Sequence, residues 1–233
     1  MSFIATIDND TVASLPAARI SGRIVIVDSD EQVEAACAHL AQCDIIGFDT
    51  ETRPSFKAGV THKVSLLQLS TEDCCYLFRL CRIRLDNRIL KILGSRRILK
   101  VGADVTGDIR SLHALRQFTA DGFIDLQHEA PNWGIDEKSL RKLSAIVLNE
   151  RVSKAQRLSN WEAGTLTEQQ QEYAATDAWV CLKIWDRLLR EAPKGYKPQI
   201  ISAQSSEHCA EHSTHRKHHH RRRSNRKNSE QSV

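Results

Sequence analysis

Residues 44–80 hold three apolar runs set close together: "DIIGFDTE" (44–51), "KVSLLQLST" (63–71) and "CCYLFRL" (74–80). The first is β-branched and aromatic, and reads as a strand. In the second, Val64, Leu66 and Gln68 fall on one side and Leu67 and Leu69 on the other, which predicts a second central strand. The third follows closely enough to form a hairpin with it. Nothing else in the chain restricts the fold as much. Strands that meet in hairpins first and alternate with helices later predict an α/β protein with a mixed sheet covered by helices.

The flanking sequence supplies that alternation. "GRIVIVDS" (22–29) reads as a short strand, and Ser29 with Gln32 forms a capping box that opens the helix "DEQVEAACAHLAQC". "DNRILKILG" reads as a short helix closed by Gly94, "RILKVG" (97–102) as a strand, "DVTGDIRSLHALRQF" (104–118) as a helix, "GFIDLQ" (122–127) as a strand and "DEKSLRKLSAIVL" (136–148) as a helix. Thr167 and Gln170 make a second capping box, opening a long helix over 168–190. The expected organisation is an N-terminal extension (1–21), one domain (22–192) and a disordered basic, histidine-rich tail (193–233) without apolar periodicity.

Charge separates the tail from the rest. The chain carries 33 Lys+Arg and 29 Asp+Glu, for a net +4. Residues 204–233 hold seven basic side chains against three acidic ones, so the whole excess lies there and residues 1–203 are formally neutral. The seven cysteines are odd in number and form no CxxC pair, which predicts reduced thiols in a cytosolic protein and argues against a zinc site. The N-terminus lacks a basic segment leading into an apolar run, and no stretch approaches the length that spans a bilayer. The expected location is the cytoplasm, or the nucleus in a eukaryotic cell, and not the secretory route.

Three acidic stretches carry the chemistry. Asp49 and Glu51 lie one residue apart in the first central strand, where side chains two apart share a face. They point together, while Phe48 and Thr50 point the other way. Two unpaired carboxylates at about 4 Å repel by about 4 kcal/mol at an effective dielectric of about 20, and a divalent cation reverses that sign. A basic partner, or two acids solvated at a strand end, are the other readings of these residues alone. In "EYAATDAW" (172–179), Tyr173 and Asp177 are four apart on one helix face, at the edge of an apolar stripe of Ala174, Ala178, Cys181, Leu182, Trp185 and Leu189. Trp179 falls toward the polar side. In "KVGADVTGDIRSL" (100–112), Asp104 is placed to cap a helix and Asp108 lies one turn inside, after a glycine that leaves room for close approach.

In this order, "FDTET", "VGADVTGD" and "YAATD" resemble the three motifs of the DEDD superfamily of 3′–5′ exonucleases, in the subclass whose third motif carries tyrosine. "RPSFKAGVTHKVSLLQLST" and "SNWEAGTLTEQQQEYAATDAW" are similar to the Werner-type and RNase D-like exonuclease domains, and the resemblance covers residues 22–190. It implies an RNase H-like three-layer fold, with helices on both faces of the mixed sheet. It also implies two divalent ions, Mg²⁺ or Mn²⁺, held by Asp49, Glu51, Asp108 and Asp177. Asp49 would bridge both ions, Glu51 and Asp177 would hold the one that generates hydroxide, and Asp108 would hold the second largely through water. Tyr173 would orient the attacking water. The implied substrate is DNA or RNA with a free 3′ end, single-stranded or recessed, and the implied product a nucleoside 5′-monophosphate. The alternative is an inactive nucleic-acid-binding module on the same fold.

Around the motifs, Arg53, Lys57, His62 and Lys63 are placed to meet backbone phosphates or to form a solvated loop. Phe56 and Trp161 are candidates to stack on bases, with a core position as the other reading for Trp161. The tail "HSTHRKHHHRRRSNRKNSE" fits electrostatic capture of nucleic acid, chelation of nickel or zinc by its histidines, or a solvated segment.

Overall fold

The computed structural model describes residues 3–202. In chain order the elements are α1 (Asn9–Ser14), β1 (Arg23–Val27), α2 (Asp30–Leu40), β2 (Ile45–Thr52), β3 (Val64–Ser70), β4 (Cys74–Phe78), α3 (Asn87–Leu93), β5 (Leu99–Gly102), α4 (Val105–His113), β6 (Phe123–Asp125), α5 (Leu126–Glu129), a 3₁₀ turn over Ala130–Trp133, α6 (Leu140–Leu148) and α7 (Glu168–Arg190). Both capping boxes form, at Ser29 with Gln32 and at Thr167 with Gln170. The helix expected over 104–118 stops at His113, and that over 136–148 starts only at Leu140, where Ser139 caps it.

The six strands make one mixed sheet in the order β1-β4-β3-β2-β5-β6. β2, β3 and β4 run as an antiparallel meander, with the expected β3–β4 hairpin; β1 pairs parallel to β4, and β5 and β6 extend parallel from β2. All seven residues of β3 are buried, as befits a central strand. Its register with β2 slips between Glu51 and Thr52, passing over Ser65. Val64 therefore turns to the face of Leu67 and Leu69, not to that of Leu66 and Gln68. Bulges of this kind re-aim side chains beside functional sites.

One face of the sheet packs Phe48, Leu67, Leu69 and Phe78 against α2, α3 and α4. The other packs Leu66 and Leu77, then Val101 and Ile124, against α7 and α6. The result is three layers. α7 differs from the single-stripe expectation because it is sandwiched: Ala174 and Ala178 meet the sheet, while Val180, Ile184 and Leu188 meet the α6 side. Trp179 is buried, its indole N–H donating to the Glu72 carbonyl at 3.0 Å, and Leu189 is exposed.

Neither end behaves as a free extension within the described residues. Ala17 bridges to Arg151, and the Asp136 N–H donates to the Ala5 carbonyl. At the other end, Tyr196 packs edge-on to Trp133, Gln199 N–H donates to the buried carboxylate of Glu129, and Ile201 forms an antiparallel bridge with Phe123 on β6. Disorder from residue 193 is thus corrected for 193–202, whose apolar and amide groups find partners on the domain. The histidine- and arginine-rich stretch with its chelation and capture readings lies outside the described residues. Among the described residues no helix is long and apolar enough to cross a membrane.

Candidate active site

The site forms where α7 crosses β2. Gly47 lets the helix descend: a Cβ there would lie 1.9 Å from the Ala178 carbonyl oxygen. Any larger residue would lift α7 away from the strand. With the helix seated, carboxylate oxygens of Asp49, Glu51 and Asp177 come within 4.8 Å of one another. Glu51 is 9% exposed and Asp177 6%. Asp108 approaches from the far layer, and its carboxylate accepts a 2.5 Å hydrogen bond from the Thr50 hydroxyl. It stands outside the close triplet, near enough for Asp49 to act on its charge.

Electrostatics shows what this cluster lacks. Burial, then repulsion from Asp49, pushes the Glu51 carboxyl up to about 10. Burial and Asp49 raise Asp108 to about 8 against the opposing Thr50 hydrogen bond, and burial raises Asp177 to about 8. Asp49 also lies well above the usual carboxylate range, through burial and the charge of Asp177. Among the described residues no Lys, Arg or His forms an ion pair with any of the four. One oxygen of Asp177 is buried without a hydrogen-bond partner. Such groups cost about 1–3 kcal/mol each when unsatisfied. The donor set, all carboxylate oxygen and short of positive charge, fits a hard divalent cation.

Tyr173 lies beside Asp177 on α7. Burial, then the charges of Asp177, Glu51 and Asp49, hold its phenol well above the ordinary value. Trp161 is fully buried beneath it, with ring centroids 6.0 Å apart. That overturns base stacking by Trp161: it has no free face and instead supports the tyrosine. Its loop is pinned by Arg79, whose guanidinium donates to the Ala163 carbonyl, and by Arg82, which donates to that of Gly164.

The loop after β2 keeps the other contact candidates outside. Phe56 is 83% exposed, and Lys57 and Lys63 are exposed with it. Arg53 is less free, pairing with Glu162 at 3.1 Å; His62 lies 3.7 Å from the same carboxylate. On the other side of α7 a cleft of about 280 Å³ reaches Tyr173 and Asp177, walled by Ala17, Ala18 and Arg19 of the N-terminal segment and by Arg151 to Ser153.

Asp125 was not among the expected site residues. Its carboxylate, 2% exposed, accepts from the N–H groups of Asp104 (3.2 Å), Val105 (3.0 Å) and Gln127 (2.9 Å). It therefore does the capping expected of Asp104. Asp104 itself sits in the left-handed region at φ 65° and makes no side-chain cap bond. A Cβ on Gly107 would come within 3.1 Å of the Asp104 carboxylate, so that glycine makes room for Asp104 and not for a ligand. The sequence signal was an acid closing the short strand "FID".

Solved structures share this architecture. The EXO domain of Aedes aegypti Nibbler matches with a TM-score of 0.65 at 24% identity, covering 72% of this chain and 88% of that one. Escherichia coli RNase D matches with a TM-score of 0.66 at 22% identity, covering 72% of this chain and 45% of that one. The fold is thus the RNase H-like α/β fold. A family model described as 3′-5′ exonuclease matches residues 24–193, and the chain belongs to that family. Its relatives include the mouse bifunctional 3′-5′ exonuclease/ATP-dependent helicase WRN, 35% identical over 162 residues, 64% of this chain. Another is the Drosophila melanogaster exonuclease 3′-5′ domain-containing protein 2, 33% identical over 157 residues, 66% of this chain. The chain spans 11% and 27% of the length of these two.

Proposed function

We propose that this chain hydrolyses phosphodiester bonds of DNA or RNA from the 3′ end with two divalent cations, Mg²⁺ or Mn²⁺, releasing nucleoside 5′-monophosphates. One observation carries the reading: Asp49, Glu51 and Asp177 converge within 4.8 Å with no protein cation among the described residues to balance them. Bound divalent ions supply an activated water and stabilise charge on the leaving oxygen. Asp49, Glu51 and Asp177 would hold them, with Asp108 completing the set from α4, one oxygen fixed by Thr50. Tyr173 keeps its proton, because burial and Asp177 hold the phenol far above neutrality. Its role is to orient the attacking water through the O–H and not to abstract a proton.

The exposed loop supplies the strand contacts in this reading. Phe56 stacks on a base, Lys57 and Lys63 meet phosphates, and Arg53 exchanges Glu162 for a phosphate when a strand arrives. Trypanosoma brucei RNase D, which matches this fold at a TM-score of 0.64 and 21% identity, has been solved in complex with RNA U12, so RNA belongs beside DNA in the test. The test uses 5′-labelled DNA and RNA strands, single-stranded and recessed, with Mg²⁺ or Mn²⁺. The expected result is a ladder shortening from the 3′ end that disappears in Asp49→Ala. Binding without shortening in either metal would replace the enzyme by a nucleic-acid-binding module.

A further inference from the structure

Gln68 is fully buried at the centre of β3, and neither its amide nitrogen nor its amide oxygen has a hydrogen-bond partner. A buried amide in that state calls for an explanation, such as an ordered water, an ion or a functional role. The register says what lies within reach. Gln68 stands directly opposite Asp49 on β2 and opposite Leu77 on β4. Opposed residues of an antiparallel pair share a face, with Cβ atoms about 4.5–5.5 Å apart, a gap that a glutamine side chain spans. Along its own strand the same-face neighbours are Leu66 and Ser70. Ser70 already donates its hydroxyl to the Thr71 carbonyl at 2.9 Å. α7 closes the face from above with Ala174 and Ala178. Of the polar groups on this face, Asp49 is the one directly opposite, while Glu51, opposite Leu66, lies one pair along.

We propose that Gln68 is a positioning residue for the cation site, its amide N–H steadying the Asp49 carboxylate when that carboxylate takes a divalent ion. Outer hydrogen bonds of this kind fix a ligating carboxylate in the orientation that coordination needs, and losing one weakens metal affinity about 10–100-fold. The proposal rests on the cation-binding reading above. It adds a residue that touches neither substrate nor ion, and it explains why an amide occupies a site where Leu or Met would pack without penalty.

The test is Mn²⁺ titration by calorimetry on the full chain, with thermal melting of the cation-free protein alongside. Gln68→Met keeps the volume and removes the amide; Gln68→Leu serves if methionine packs poorly, and Leu66→Met on the same strand controls for repacking. The expected result is Mn²⁺ affinity about tenfold weaker or more in the Gln68 variants, against an unchanged value in Leu66→Met. The cation-free melting temperature of the Gln68 variants should equal or exceed the wild type. If the wild-type chain takes up no Mn²⁺, the cation reading itself fails. If it does and Gln68→Met binds equally well, or melts lower without the ion, the amide serves the fold alone and the proposal is overturned.

Discussion

Gly47→Ala perturbs the site without removing a functional group. The added Cβ would sit 1.9 Å from the Ala178 carbonyl oxygen and 2.8 Å from its carbon. Ordinary contact begins at 3.4 Å, so strand and helix must part by about 1.5 Å. The obstacle is main chain, and no rotamer change relieves it. Overpacking of this sort costs about 1–3 kcal/mol, or about 2–12 °C in melting temperature for a chain of this size. Function should suffer more. Ala178 adjoins Asp177, so the retreat draws Asp177 and Tyr173 away from Asp49 and Glu51. A displacement of about 1 Å in a reacting constellation is worth about 100-fold in rate. Strand-shortening rates, Mn²⁺ affinity and melting temperature measured on one preparation separate the two effects. A Gly47→Ala protein that melts a few degrees lower but retains wild-type rate and cation affinity would refute the view that helix seating sets the site.

Other expectations concern the same residues. Burial holds Asp177 near 8, and burial with repulsion from Asp49 holds Asp108 near 8 and Glu51 near 10 in the folded chain. The folded state therefore binds more protons than the unfolded from about pH 4 upward, and cation-free stability should fall as pH rises toward 8. Melting scans should give a higher midpoint at pH 5 than at pH 7, with Mn²⁺ recovering stability at pH 7; a flat profile contradicts the shifts. Asp125→Ala strands three N–H groups at the heads of α4 and α5. It should lose about 2–3 kcal/mol in denaturant unfolding and reduce activity through Asp108. Phe56→Ala should leave melting unchanged, since the ring is 83% exposed, while weakening single-strand binding by about 1–3 kcal/mol in a fluorescence titration.

The parts of this architecture legible in the sequence were those encoded by neighbours along the chain. Ser29 with Gln32 and Thr167 with Gln170 are local hydrogen-bond signals, and both helices begin where those residues stand. Asp49 and Glu51 share a face by strand geometry alone, and their motif order pointed to Asp177 as a third acid. What escaped depended on partners far off in sequence. Trp179 looked polar-facing because what covers it, the Glu72 turn between β3 and β4, lies far off in sequence. Asp104 occupied the cap position, but a carboxylate from β6 reached it first. Gly47 interrupts a β-branched run, a sign of close backbone approach, yet nothing in the sequence names Ala178 as what approaches. Trp161 was open between base and core until the chain placed Tyr173 on top of it.

The anchoring of residues 193–202 also bears on the open margin of the sheet. β6 is the last strand of the sheet, and such a margin offers unpaired amides to any passing chain. Ile201 occupies part of that margin, while Gln199 and Tyr196 satisfy the Glu129 carboxylate buried behind it. A protein ending at Ala192 would uncover the strand and leave Glu129 with only the Asn132 amide as a donor. Light scattering on it should show more self-association through β6 than the full chain does.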